Sequence, residues 1–157
     1  MHYLYVAILF WLHLIAITLW VGSHLLRVLV LWPALSVLEP SAAQRVKDAF
    51  LARLTPITAI AMPVIVLTGV LQIQARFGFA YLLSINPLTL KLLVFVLMVA
   101  TSGYEIRTRD LMVPLRSASD AASLARLKTL QRRETIAAWI QVGLIVLIFL
   151  LVGLLTS

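Results

Sequence analysis

Apolar residues run through this chain in four long blocks, roughly 3–31, 54–75, 87–104 and 135–156. Each is long enough to cross the hydrocarbon core of a bilayer as a helix, which takes roughly 17–25 residues. None shows the alternation of a barrel strand. The pattern predicts an all-α, integral membrane protein folded as a four-helix antiparallel bundle, with residues 1–157 forming a single domain. Between the blocks, Glu39-Pro40-Ser41-Ala42-Ala43-Gln44 has the form of a capping box and opens a short helix toward Arg53. Pro56 is expected to bend or restart that helix. Ser117-Ala118-Ser119-Asp120 is a second cap pattern. The residues after it read as helical straight into the fourth block, which predicts a cytoplasmic extension over about 118–134.

Polar residues inside the first block are ordered. His2, His13 and His24 are eleven residues apart, close to three whole turns, so they share one helix face. Trp20 and Arg27 follow His13 at seven and fourteen residues and join that face. Arg27 is the first charged side chain in the chain. The second block carries Thr55, Thr58, Met62, Ile65, Gly69, Gln72 and Arg76 at similar spacing, and the third carries Lys91, Phe95, Met98, Ser102, Glu105 and Arg109. Antiparallel folding then predicts three layers. His2, Gln72, Arg76 and Lys91 form the outer one, and His13, Met62, Phe95 and Met98 the middle one. The inner layer holds His24, Arg27, Thr55, Thr58, Ser102 and Glu105.

Composition supports the membrane reading: 62% of the 157 residues are hydrophobic and 12% charged, against about 25% charged in a soluble domain. Cysteine is absent, which excludes disulfides, iron–sulfur clusters and thiolate-ligated haem or zinc. The net charge of +7 does not imply nucleic acid, because the basic residues lie between apolar spans. Eleven Lys and Arg residues fall around the first and third connections and two, Arg76 and Lys91, on the second side. That asymmetry predicts a bacterial-type inner (plasma) membrane, with the basic connections cytoplasmic and both termini outside. No basic residue precedes the first span, so a retained helix is expected there rather than a signal peptide.

A polar group near the middle of a span needs a partner, and His13 is the residue in that position. Two explanations fit: ligation of haem iron or copper, or a hydrogen bond between helices to Gln141 or a threonine. His24, near the inner interface, is a candidate for a second centre or an ordinary paired or solvated side chain. His2, beside the terminal amine, is a candidate copper ligand. Lys91 and Arg76 can pair with haem propionates. Met62 and Met98 are core residues or thioether ligands, and Trp20 can wall a flat cofactor.

The segment Leu12-His13-Leu14-Ile15-Ala16-Ile17-Thr18-Leu19-Trp20-Val21-Gly22 resembles the first core helix of the CopD-like and HemJ-like membrane proteins. Leu88-Thr89-Leu90-Lys91-Leu92-Leu93-Val94 is similar to the lysine-bearing third helix of HemJ-like proteins, and Arg132-Arg133-Glu134 to the arginine-rich start of their last helix. The sequence departs from that pattern after Trp20, where a proline–arginine pair is missing, and in its last helix, which lacks Asn-Glu-Val-Pro. The resemblance implies haem b and porphyrinogen oxidation on the HemJ-like side, copper uptake or resistance on the CopD-like side. It makes His13 the family histidine and Lys91 the family lysine.

Residues and resemblance together lead to an expected haem b-binding membrane redox protein with its cofactor inside the bundle. His13 is then an axial ligand, and a quinone, superoxide or a redox protein is the electron partner. A copper permease is the first alternative. A structural subunit of a larger complex, or of a homo-oligomer, is the second.

Overall fold

A computed structural model describes residues 2–117 and 120–156; for residues 2, 81, 83 and 154–156 it describes the backbone alone. The His2 side chain and the Ala118-Ser119 part of the second cap pattern thus lie outside the described residues. Every regular element among the described residues is helical. Helix α1 (His2–Leu25) passes into a π-helical segment (Leu26–Leu31) and a short α2 (Trp32–Leu35). Then come α3 (Pro40–Arg76), α4 (Pro87–Met112) and α5 (Ala121–Thr156), with 3₁₀ turns at Phe79–Leu83 and Pro114–Ser117.

Four helical stretches, Tyr3–Leu35, Pro40–Arg76, Pro87–Ser117 and Ala121–Gly153, are long and apolar enough to span a membrane. Only 17% to 22% of their most apolar windows is buried within the protein. Side chains such as Ile15, Leu67, Leu93 and Leu150 stand more than half exposed. In water such surface would cost about 25 cal/mol per Å², so the environment these faces fit is lipid. The chain is a multi-pass membrane protein.

The chain divides into two compact units, residues 1–83 and 84–157. In the first, α1 packs on α3 in antiparallel register. Gln72 Nε2 donates to the Leu9 carbonyl at 3.3 Å, and His13 meets Thr68. In the second, α4 and α5 form the corresponding pair, with Gln141 Nε2 donating to Ser102 Oγ at 3.4 Å and Arg109 bridging to Glu134.

Helix ends follow local chemistry. Glu39 is the N-cap of α3: its carboxylate accepts from Ser41 N at 3.1 Å and Ala42 N at 3.3 Å, and also from the Ser41 hydroxyl. These bonds, the hydroxyl's foremost, hold the Glu39 carboxyl below its ordinary value. Asp120 accepts from Ser123 N at 2.8 Å at the start of α5, and its carboxyl is likewise lowered. Asn86 caps α4 by accepting from Thr89 N at 2.9 Å. Helix α3 ends on Gly78, whose φ of 73° is the left-handed conformation that ends a helix at little cost in glycine.

One expectation about length changes. The short helix after Glu39 and the second span are one helix, unbroken at Pro56 and Pro63. Each proline removes one i→i−4 bond, and the two lie seven residues apart, so no turn loses two bonds. Thr55 and Thr58 hydroxyls bond the Leu51, Leu54 and Thr55 carbonyls around the first proline. The extension before the fourth span is helical from Ala121, continuous with α5, and Asp120 rather than Ser117 caps it.

Candidate functional site

The π-helical segment has a local consequence. Its i→i+5 spacing brings the Trp32 N–H onto the Arg27 carbonyl. The same spacing sets the Trp32 ring 5.7 Å from the Arg27 guanidinium carbon. The Lys47 ammonium of α3 lies 5.7 Å from that ring as well. Arg27 is buried, and its Nη2 donates to His24 Nδ1 at 3.0 Å.

That bond fixes the chemistry of His24. A guanidinium only donates, so His24 Nδ1 is an acceptor and the proton of the neutral ring is on Nε2. Neither nitrogen then offers a metal a lone pair. Of the two readings the sequence offers for His24, a second centre or an ordinary paired side chain, this contact is the pairing.

His13 has the opposite arrangement. Its Nδ1 lies 2.8 Å from Thr68 Oγ1. The Thr68 hydroxyl has one proton, and its closest acceptor is the Val64 carbonyl at 2.5 Å. With that proton spent on the backbone, Thr68 accepts from His13, and Nδ1 carries the ring hydrogen. Nε2 is then the nitrogen with the lone pair. A donated Nδ1–H that fixes tautomer and ring orientation is the usual support of a metal-ligating histidine. Gly69 supplies the room. A Cβ at that position would lie 3.3 Å from His13 Cε1, so the glycine lets the ring press against α3.

The hydrogen bond to a threonine, offered by the sequence as the alternative to ligation, is present, and it leaves ligation chemically open. The sequence did not single out Thr68. Thr68 stands one position off the predicted polar face of the second span, beside Gly69. Once Leu9 and His13 are matched to Gln72 and Thr68, Met62 falls two turns from Gly69, roughly 10 Å along α3. Within this unit the expected middle layer is thus corrected: Thr68 and Gly69, not Met62, stand level with His13. Met62 is half-buried near the Trp20 level, and Trp20 itself is half-buried.

Arg76 is exposed near the end of α3, its guanidinium carbon 6.0 Å from the Phe10 ring. It lines a cavity of about 380 Å³ with Tyr3, Phe10, Trp11 and Ala75. In the second unit Met98 is buried, at 1% exposure. Lys91 is half-buried and makes no hydrogen bond or ion pair among the described residues. Near the other end of that pair, Glu105 and Glu134 are each 2% exposed. Arg109 reaches both, Nη2 to Glu105 Oε2 at 3.2 Å and Nε to Glu134 Oε1 at 3.3 Å.

Among the described residues no group of three or more His, Cys, Asp or Glu is gathered to hold a metal ion. His13 and His24, about 16 Å apart along one helix, cannot share one. A porphyrin supplies four nitrogens of its own and needs as few as one from a protein. No protein-family model matches the chain, and no curated protein or solved structure does either.

Proposed function

We propose that this protein binds b-type haem through His13 and exchanges single electrons within the membrane, in the manner implied by its resemblance to HemJ-like and CopD-like proteins. The observation that carries this reading is the 2.8 Å contact of His13 Nδ1 with Thr68, whose own proton goes to Val64. It orients a neutral imidazole with the ring hydrogen on Nδ1 and the lone pair on Nε2, at a depth where a polar side chain is costly unless used or paired. Haem, once bound, supplies one-electron chemistry toward a quinone, superoxide or a redox protein. The residues of α1 and α3 do the rest: Thr68 fixes the ring, Gly69 gives it room, Trp20 packs as an apolar wall, and Arg76 is a cation for a propionate. The basic connections face the cytoplasm and the termini the outside of a bacterial-type inner membrane.

The test is an absorption spectrum of the purified protein, oxidised and reduced, with bound iron and copper measured. A Soret band that disappears in His13→Ala and persists in His24→Ala supports the proposal. Colourless protein with stoichiometric copper supports the copper permease instead. Folded protein without colour or metal leaves a structural subunit. Met62→Leu, Met98→Leu and Lys91→Gln then report which of these side chains alters the spectrum. Cysteines at Gln72 and Lys91 should label from outside; labelling from the cytoplasm overturns the orientation.

A further inference from the structure

A second cavity, of about 400 Å³, lies within the α4–α5 pair and is bounded by Ala100, Thr101, Tyr104, Arg133, Ala137 and Ile140. Its lining includes two small residues, the buried Ala137 and the exposed Ala100, beside larger ones. Ile136 and Ile140 are about half exposed, at 50% and 52%, on helices that face lipid.

The groove is graded along its length. Ala100 and Ile140 lie toward the apolar middle of the two helices. Tyr104 and Arg133 lie toward the end where Arg107, Lys128 and Arg132 are also found. Arg133 is exposed and makes no ion pair or hydrogen bond among the described residues. The Tyr104 hydroxyl is likewise unpartnered among them, on a residue 45% exposed. Thr101 donates to the Leu97 carbonyl at 2.8 Å and keeps an acceptor lone pair. The nearest carboxylates, Glu105 and Glu134, are buried and engaged by Arg109, so no acid lines the groove.

A free arginine and a phenol at the head of an apolar trough match one kind of molecule, an amphiphile with an anionic head. We infer that this groove is a binding site for one anionic phospholipid. The phosphate sits on Arg133 and Tyr104, and an acyl chain lies over Ala100 and against Ile140. Charge complementarity carries the identification: an unpaired guanidinium at a bilayer interface attracts anionic headgroups by Coulomb energy and charge-assisted hydrogen bonds. The alanines admit a chain where leucines would close the trough.

The experiment is native mass spectrometry of the intact protein released from detergent, with phosphatidylglycerol, phosphatidylcholine or inorganic phosphate added. One phosphatidylglycerol per chain should remain bound, in preference to phosphatidylcholine. Arg133→Gln should weaken it roughly ten-fold, and Ala100→Leu should block it. Arg126→Gln removes a charge from the same helix outside the groove and should leave binding unchanged. Circular dichroism at wild-type helicity keeps the variants comparable. Equal retention of phosphatidylcholine, equal losses in Arg126→Gln and Arg133→Gln, or displacement by millimolar phosphate would each overturn the assignment. The haem reading plays no part in these outcomes.

Discussion

Replacing Thr68 by valine removes one hydroxyl and nearly preserves shape, so it isolates the bond to His13. Hydrogen bonds between membrane helices average about 0.6 kcal/mol and reach about 1.7. Leaving a donor without its acceptor raises the cost toward 1–3 kcal/mol where water is excluded. His13 is half-buried on a lipid-facing helix, and Thr68 is 4% exposed. The expected loss is therefore about 1–2 kcal/mol. The lost Thr68-to-Val64 bond adds little, because such back-bonds are neutral or slightly unfavourable in helices. The assay is reversible unfolding in mixed micelles of Thr68→Val, His13→Leu and the double variant. A coupling energy of about 0.6–1.7 kcal/mol is expected from the cycle. Nitrogen NMR of the labelled ring adds a direct reading, with the hydrogen on Nδ1 in His13 and on Nε2 in His24. A coupling within about 0.3 kcal/mol of zero, or a ring hydrogen on Nε2 of His13, would refute the tautomer argument.

Two further outcomes follow from charged groups. Arg109→Met leaves the buried carboxylates of Glu105 and Glu134 without the guanidinium that bridges them. It should destabilise the α4–α5 pair by about 3 kcal/mol, whereas Glu134→Gln, which keeps the Arg109–Glu105 pair, should cost about 1 kcal/mol; both are read by the same unfolding assay, and equal losses contradict the bridging role. The carboxyls of Glu39 and Asp120 are lowered in the folded protein, Glu39 foremost by the Ser41 hydroxyl and Asp120 by the Ser123 N–H. A lowered carboxyl contributes stability above its unfolded value and loses it as pH falls through the folded value. Amide protection of Ser41, Ala42 and Ser123 should thus fall on acidification below the ordinary carboxylate range, and Glu39→Gln should abolish that dependence for the first two; protection that stays level would argue against capping by ionised carboxylates.

Long apolar blocks were the most legible feature of this chain, because crossing a bilayer imposes a length and a polarity that few other demands imitate. The helical extension before the fourth span was legible too, since capping and periodicity agree over residues 121–134. Helix continuity through Pro56 was harder. A proline pattern states what the backbone loses, not whether neighbouring threonines and an apolar solvent make a break costlier. The π-helical segment was invisible for a related reason. No residue in Leu26–Leu31 marks it, and the contact that accompanies it joins Arg27 and Trp32, five residues apart. For the site, periodicity located His13 and the face it shares, but a shared face does not give register between helices. The Thr68-Gly69 pair becomes recognisable only when α1 and α3 are aligned through Gln72 and Leu9.

Three histidines at eleven-residue spacing suggest three equivalent groups, and periodicity alone offers no way to separate them. What separates His13 from His24 is the charge and hydrogen-bonding capacity of the partner at Nδ1. A threonine whose proton is spent on its own helix can only accept, so it draws the ring hydrogen to Nδ1 and leaves Nε2 basic. An arginine can only donate, so it takes the Nδ1 lone pair and leaves Nε2 protonated. Two imidazoles on one helix face are thereby set in opposite tautomers by residues the helix pattern does not relate to them. The proposed ligation of iron rests on that difference, which is why Thr68, with no ligand chemistry of its own, is the residue whose loss most directly tests the role of His13.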